Sequence, residues 1–158
     1  MKKKITKHIL IFCMFFLIGC GYKVINRSEI NNFYVADIDS IGDRRINYIL
    51  KNNLVINSKK NSKNVLNLKL NTNKIKEVKE KNIKNQITKY KITIVVEVKF
   101  NLTNNEKNHT ISSSYNGDYL VTTNHSSTLS NEKKLIENLV ENISNDIKNK
   151  ISSILNDL

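Results

Sequence analysis

The chain has 158 residues and a formal net charge of +12, with two cysteines, four glycines and no proline or tryptophan. This length is enough for one domain of ordinary size, and the sequence shows no linker long enough to divide domains. The positive charge favours an anionic partner such as nucleic acid, an anionic lipid or a phosphorylated sugar, although the many Asn, Lys and Ile residues are also what an AT-rich genome encodes by default.

The chain begins with basic residues that are followed by an apolar run. Four lysines and no acidic residue precede the apolar residues 9–18. A helix of about ten residues spans about 15 Å, whereas a membrane-spanning helix needs about 20 residues. The run therefore predicts a signal peptide at residues 1–19. Leu-Ile-Gly-Cys at residues 17–20 resembles a bacterial lipobox, in which the chain is cut between Gly19 and Cys20. The alternative is that Cys20 is an ordinary core cysteine.

Lipidation at Cys20 would determine where the protein resides. In a lipobox the cysteine thiol receives a diacylglycerol, and the new amino terminus receives an acyl chain. Removal of residues 1–19 would leave 139 residues, a charge of +8 and one cysteine, since four lysines and Cys13 leave with the leader. That cysteine carries lipid, so no disulfide is expected within the chain. Several acyl chains, at about 0.8 kcal/mol per buried methylene, anchor a protein almost permanently. Gly21 after the cysteine, instead of aspartate, favours sorting to the outer membrane, by resemblance to bacterial lipoproteins.

A strand and a helix are predicted at the start of the folded region. Residues 32–38 read as a strand whose inward side chains are Phe33, Val35 and Ala36. Residues 43–54 carry apolar side chains at three- and four-residue steps, which predicts a buried helix face made of Ile46, Ile49, Leu50 and Leu54. Gly42 or Asp43 suits the start of this helix, and the polar residues 57–64 predict a loop.

Three further strands are predicted. Leu66, Leu68 and Leu70 alternate with polar residues, as in a strand with one dry and one wet face. Residues 74–85 are rich in lysine, and either extend this strand or form an exposed hairpin tip. Residues 88–102 carry apolar side chains at the even positions Tyr90, Ile92, Ile94, Val96, Val98, Phe100 and Leu102. A polar turn at residues 104–108 then leads to a last strand, so that the pair predicts an antiparallel hairpin. One side of that strand holds Ile111, Ser113, Tyr115, Gly117 and Tyr119.

The last predicted element is a long helix at residues 130–158. Its apolar stripe is continuous and consists of Leu135, Ile136, Leu139, Val140, Ile143, Ile147, Ile151, Ile154, Leu155 and Leu158. Ser130 or Asn131 suits its N-cap, and Glu132 suits the positive end of its dipole. A coiled-coil dimer helix is the alternative, but the dry face of the sheet needs a cover, which favours packing of the helix on the sheet.

The order β-α-β-β-β-α predicts an α+β fold. A right-handed crossover through the first helix would place the first two strands parallel. Both helices would then cover one face of a mixed four-stranded sheet in a two-layer sandwich. We therefore expect a lipidated tether at residues 20–31 and a single domain at residues 32–158, with the Lys-, Thr- and Asn-rich face of the sheet left for solvent or a partner.

Familiar signatures of catalysis are missing from the sequence. It has no glycine-rich phosphate loop, no G-x-S-x-G and no H-E-x-x-H. His109 and His125 lie in polar surroundings that predict loops, and neither has a cysteine or a second histidine at metal-ligand spacing. Asp37 and Asp39 are better explained by a solvated strand end than by acid–base chemistry. We expect no enzyme, no metal and no cofactor beyond the lipid on Cys20.

The whole pattern resembles the family of LPS-assembly lipoproteins called LptE. The shared features are a lipobox ending in Gly-Cys-Gly-Tyr, a strand–helix–strand opening, a long hairpin and a C-terminal helix. The most telling segment is "SSYNGDYLVTTNHSSTLSNEKKLIENLVENISNDIKNKISSIL", residues 113–155. It is similar to the family's tyrosine-containing last strand, its Ser/Thr-rich connection and its acid-led helix that ends in an Ile-Leu pair.

The resemblance implies a binding subunit at the periplasmic face of the outer membrane. Family members bind inside the lumen of LptD, the β-barrel of the LPS translocon, assist its assembly, plug it and contact lipopolysaccharide. Export counts against a nucleic-acid partner. The phosphates of lipopolysaccharide would suit charge-assisted hydrogen bonds from Lys74, Lys76, Lys79, Lys89 and Lys91, although each lysine is also explained as a solvated charge. We expect reversal of several of these charges together to weaken lipopolysaccharide binding while the fold survives.

Two other functions stay open from the sequence. One is a lipoprotein subunit of another envelope lipid-transport or secretion machine, which can share a sheet-plus-helix build. The other is an envelope hydrolase with an unrecognised site. Co-purification from the membrane would separate the first from the translocon, and turnover of an ester or glycan would identify the second.

Overall fold

Six elements lie in the described part of the chain, which comprises residues 33–56, 58, 60, 62–103 and 105–157 of a computed structural model. They are β1 (Phe33–Gly42), α1 (Arg44–Ile56), β2 (Asn64–Lys81), β3 (Ile87–Leu102), β4 (Asn105–Leu120) and α2 (His125–Asn156). This order confirms the predicted one. The predicted signal peptide, the cleavage site between Gly19 and Cys20, and the tether lie outside the described residues.

The strands form one mixed sheet in the order β1-β2-β3-β4. β1 runs parallel to β2, with Phe33 beside Asn64, and the other neighbours are antiparallel. The lysine-rich stretch after Leu70 continues β2, which pairs with β3 as far as Lys81. The β3–β4 turn is shorter than predicted, because β4 already begins at Asn105.

Side-chain alternation gives the sheet one dry face, as predicted. Leu66, Leu68 and Leu70 in β2 are buried, together with the even-numbered residues 92–100 of β3. Ala36 is exposed instead of packed inward, because a bulge between Val35 and Asp37 shifts the register of β1. In β4, Tyr115 is also exposed, whereas Ile111, Ser113 and Tyr119 are buried.

A glycine and a buried polar pair form the corner between β1 and α1. Gly42 has a φ of +107°, and a Cβ there would lie 1.9 Å from the backbone oxygen of Thr72, so a glycine is required. The buried Thr72 hydroxyl donates a hydrogen bond to Asn47 Oδ1 at 2.9 Å. Asp43 then caps α1, since its Oδ1 accepts from the N–H of Ile46 at 3.1 Å. The predicted start of this helix is confirmed.

The second helix begins earlier than predicted, at His125 instead of Ser130. Its cap is Asn124, whose Oδ1 accepts a hydrogen bond from the N–H of Ser126 at 2.9 Å. Residues 125–128 are polar, so apolar periodicity gave no sign of this turn, and the cap geometry specifies it instead. Glu132 therefore lies beyond the first turn, where the helix dipole no longer acts strongly.

Both helices cover the dry face of the sheet. The stripe of α2 is buried inside the chain at Ile136, Leu139, Val140, Ile143, Ile147 and Ile151. Gly117 of β4 permits the close approach of α2, because a Cβ there would lie 2.7 Å from Leu135 Cδ1. Since this stripe is used within the chain, the helix packs on the sheet, and the coiled-coil alternative is not needed.

Candidate binding surface

The five lysines predicted to meet phosphate lie on two sides of the sheet. Lys74 and Lys76 continue the even-numbered, helix-side row of β2. Lys89 and Lys91 belong to the odd-numbered row of β3, on the opposite side. Lys79 reaches that same side, where it forms an ion pair with Asp118 of β4. The structure therefore brings three of these lysines together and separates them from the other two.

Lys74 ties β2 to the start of α1. Its Nζ lies 3.1 Å from Asp43 Oδ2, so the carboxylate that caps the helix also forms an ion pair with the sheet. Burial alone would raise the pKa of Asp43, but hydrogen bonds from the Ile46 N–H and from Lys74 lower it below its ordinary value. The lysine thus has a structural partner.

Lys76 belongs to a cluster that joins the sheet to α2, named here the Glu132 cluster (Lys76, Tyr90, Tyr119 and Glu132). Lys76 Nζ and the Tyr119 hydroxyl both donate to Glu132 Oε2, each at 2.8 Å. The ammonium lies 4.4 Å from the ring centroid of Tyr90, which is within cation–π range. The rings of Tyr90 and Tyr119 stack with centroids 5.6 Å apart.

The charges of the Glu132 cluster stabilise each other. Burial alone would raise the pKa of the Glu132 carboxyl, but hydrogen bonds from Lys76 and Tyr119 lower it below its ordinary value. Burial likewise opposes the charge of Lys76, but Glu132 and Tyr119 raise its pKa above the ordinary value. Both groups are therefore charged at neutral pH, and the cluster fixes α2 to the sheet.

The uncovered side of the sheet, named here the open face, is mostly polar, with Ile75 as an exposed apolar side chain, and carries both signs of charge. Its exposed or half-buried side chains include Asn67, Lys69, Asn71, Thr93, Glu97, Lys99, Ser112, Ser114 and Asn116. Lys89 Nζ lies 2.8 Å from Glu80 Oε1, and Lys99 Nζ lies 3.4 Å from Glu97 Oε1. Within the described residues, no carboxylate forms an ion pair with Lys91. The face is thus a mixed polar surface and not a uniformly basic one.

The turn between β2 and β3, named here the hairpin tip (residues 81–86), is ordered by its own side chains. Asn82 Oδ1 accepts hydrogen bonds from the N–H groups of Lys84 and Gln86, each at 2.9 Å. Asn85 adopts a left-handed φ of 60°. Ile83 is fully exposed, at 103%. The tip therefore presents one apolar side chain on a defined turn.

The remaining candidate residues lie on three different elements, β1, β4 and α2. Half-buried His109 lies in β4 and not in the predicted loop, where its ring stacks on Phe100 with centroids 5.2 Å apart. His125 is exposed at the start of α2, and Asp37 and Asp39 are exposed on β1. Among the described residues, no group of three or more His, Cys, Asp and Glu side chains is placed to hold a metal ion.

A shallow cleft of about 460 Å³ lies between the starts of the two helices. It is lined by Arg45, Ser126, Leu129, Ser130, Glu132 and Lys133. Its charges are engaged at the rim, where Glu137 lies 3.6 Å from Arg45 and 4.0 Å from Lys133.

Sequence reasoning missed the acidic partners of the lysines. Glu132 was assigned to the helix dipole, and Asp118 and Glu80 were assigned no role. Asp118 lies opposite Lys91 in the strand register but forms its ion pair with Lys79 of β2, so cross-strand pairing alone would have indicated the wrong lysine. The contact between Glu80 and Lys89 depends on register shifts after Val78, and the sequence gives no indication of these shifts.

Comparisons with known proteins identify the fold. No family model matches the chain, and no curated protein sequence matches it. Among solved structures, the rare lipoprotein B from Shewanella oneidensis aligns with a TM-score of 0.58 and 12% identity, over 77% of this chain and 97% of that one.

Two further solved structures share this architecture. A protein described as a lipoprotein, from Caulobacter crescentus CB15, has a TM-score of 0.58 and 11% identity, over 82% of this chain and 94% of that one. Lipoprotein B from Nitrosomonas europaea has a TM-score of 0.53 and 11% identity, over 87% of this chain and 94% of that one. At these identities the likeness shows a shared fold. In the described part of the chain, no helix is both long and apolar enough to cross a membrane.

Proposed function

We propose that the protein is an outer-membrane lipoprotein that binds in the lumen of the LPS-translocon barrel LptD, assists its assembly and promotes insertion of lipopolysaccharide. The observation that carries the proposal is the fold shared with rare lipoprotein B over 97% of that chain. Rare lipoprotein B is a name of the LptE family. The lipobox ending at Cys20 supports the same assignment, because it supplies the membrane anchor that such a protein needs.

The open face supports binding inside a barrel. The lumen of an outer-membrane barrel is polar, so a protein inside it should present hydrogen-bonding groups and few large apolar patches. The open face offers amides and hydroxyls, such as those of Asn71, Thr93 and Ser114. It also offers paired charges, such as Lys99 with Glu97. A surface of this kind can hydrogen-bond to a polar wall, and its paired charges can be buried there at a lower cost than unpaired ones. We infer a binding role for this face and not catalysis.

The lysine pairs sharpen the proposed contact with lipopolysaccharide. A phosphate that binds Lys79 or Lys89 must compete with a carboxylate already in contact, whereas Lys91, whose cross-strand neighbours are Glu77 and Asp118, forms no ion pair among the described residues. Lys91 is therefore the lysine that we assign first to a phosphate. Reversal of Lys76 would place two carboxylates together at Glu132, so a joint reversal that includes it would also disturb the fold.

Cross-linking in the native membrane tests the proposal. A photoreactive residue at Asn71 on the open face should cross-link to a large outer-membrane barrel, identified by mass spectrometry after purification of the detergent-solubilised complex. The matched control is the same residue at Asn138, exposed on α2. Cross-links from Asn71 to an inner-membrane transporter would instead support a subunit of another lipid-transport machine. Absence of a barrel from both samples would refute the proposal.

A further inference from the structure

The end of the domain nearest the predicted anchor carries exposed apolar side chains. Phe33, the first described residue, pairs with Asn64 at the start of β2. α1 runs back toward this end and finishes with Val55 and Ile56, just before the connection to β2. Val55 is 48% exposed and Ile56 is 78% exposed. Two neighbouring apolar side chains are therefore left uncovered where the chain enters the domain.

Lysines flank this apolar pair. Lys51 lies one helical turn before Val55, and Lys60 and Lys63 lie in the connection to β2. Lys60 and Lys63 are exposed and Lys51 is half-buried, and within the described residues no ion pair joins any of the three to a carboxylate. This contrasts with the other half of β2, where Lys74, Lys76 and Lys79 are each paired with an acid.

These five residues are named here the anchor-end surface (Lys51, Val55, Ile56, Lys60 and Lys63). Two acidic residues, Asp146 in the second half of α2 and Asp157 just after it, lie on the C-terminal side of this helix. Asp146 is paired with Lys150 at 2.7 Å, and Asp157 is the C-cap residue, whose backbone N–H donates to the carbonyl oxygen of Ile154. The anchor-end surface thus combines unpaired positive charge with exposed apolar area, which is the composition of a surface that binds anionic lipid headgroups.

The position of the lipobox selects a bilayer as the partner. Twelve residues, 21–32, separate Cys20 from Phe33. A chain of this length spans at most about 43 Å when fully extended, and about 20 Å as a random coil. A lipid on Cys20 would therefore keep this end close to the bilayer, while β3 carries the hairpin tip about 50 Å away. A tether this short makes even weak headgroup contacts effectively intramolecular.

We propose that the anchor-end surface docks on the bilayer while the lipoprotein is not in its barrel. The three lysines contact anionic phospholipid headgroups, and Val55 and Ile56 enter the headgroup region. This inference rests on the proposed lipid anchor at Cys20, which supplies the proximity. Docking orients the free domain, so that the hairpin tip and the open face remain accessible to an arriving partner. Entry into the barrel would release the surface.

Fluorescence quenching in vesicles tests this docking. The mature lipidated protein is reconstituted into phosphatidylcholine vesicles with or without phosphatidylglycerol. Since lipid would occupy the Cys20 thiol, an introduced cysteine carries the label alone, at Ile56→Cys or at the matched control Ile83→Cys. A spin-labelled lipid with its nitroxide near the headgroup serves as the quencher. We expect quenching at position 56 in vesicles with phosphatidylglycerol, and none at position 83.

Charge variants complete the test. Neutralising Lys60 and Lys63 to glutamine should lower the docking equilibrium about fivefold per lysine, whereas glutamine at Lys81 and Lys84 of the hairpin tip should change nothing. No quenching at position 56 would overturn the docking. So would quenching that is the same with and without phosphatidylglycerol and the same in the wild type and the variant at Lys60 and Lys63. Loss of the protein from floated vesicles would overturn the lipid anchor and the docking together. Retention on the vesicles with an unquenched label would overturn the docking alone.

Discussion

Removal of the Tyr119 hydroxyl should loosen the attachment of α2 to the sheet. In Tyr119→Phe the ring keeps its buried position, but Glu132 loses one of the two hydrogen bonds that its Oε2 accepts at 2.8 Å. Hydrogen bonds to charged groups contribute about 1.5–3 kcal/mol. Lys76 stays bound to the carboxylate, and the Glu132 side chain is 20% exposed, so the lower end of that range applies. We expect a loss of about 1.5 kcal/mol in the free energy of unfolding, or about 4–6 °C in Tm.

Chemical denaturation followed by circular dichroism would measure this loss. The matched control is Tyr115→Phe in the same strand, since Tyr115 is 37% exposed and should tolerate the change within about 0.5 kcal/mol. A double-mutant cycle with Glu132→Gln would isolate the coupling between the two side chains. If Tyr119→Phe unfolds at the same denaturant concentration as Tyr115→Phe, the assigned role of the Glu132 cluster is wrong.

Acid should remove the same contribution. The pKa of Glu132 is lowered in the folded protein, so its stabilising contribution is present above the unfolded pKa and is lost as the pH falls through the folded pKa. The difference between the wild type and Glu132→Gln should therefore shrink as the pH is lowered from 7 toward about 3. A difference that stays constant over this range would show that the charge of Glu132 does not contribute.

Three further substitutions test separate parts of the account. Gly42→Ala should destabilise the protein by at least about 3 kcal/mol, because the φ is left-handed and the new Cβ would lie 1.9 Å from the backbone oxygen of Thr72; denaturation would measure it, and a small effect would contradict the corner geometry. Asn124→Ala should cost about 1 kcal/mol while Ser130→Ala costs nothing measurable, and the reverse result would restore the helix start expected from the sequence. Lys91→Gln should weaken binding of purified lipopolysaccharide without adding a third acid between its cross-strand neighbours Glu77 and Asp118, and unchanged binding would remove this lysine from the site.

Strict alternation made the sheet predictable from the sequence. The even-numbered apolar row of β3 admits one register against a dry face, because a shift by one residue would expose every member. The three leucines of β2 supply the adjacent row on the same dry face. The apolar stripe of α2 is long enough to cover both rows. The prediction that Ala36 packs inward was wrong because the register of β1 is not set by such an alternation. A bulge adds one residue to an edge strand, and nothing in the short run Phe33–Ile38 marks its position.

The candidate surface was less predictable, because it depends on which charges meet. The number of lysines predicts a basic surface. In the fold, the five candidate lysines lie on both sides of the sheet, and four of them form ion pairs with carboxylates. The contact between Lys76 and Glu132 joins residues 56 positions apart, so it depends on how α2 lies across the sheet. The start of α2 was missed because a single asparagine cap, and not an apolar pattern, specifies its first turn.

Native mass spectrometry of the protein, purified from detergent-solubilised membranes together with any chain it binds, tests the central claim most directly. We expect a chain that begins at Cys20, carries the added mass of a diacylglycerol and an acyl group, and is bound to one large β-barrel. An intact leader with a bare thiol at position 20, or a lipidated chain that never carries a barrel, would contradict the account.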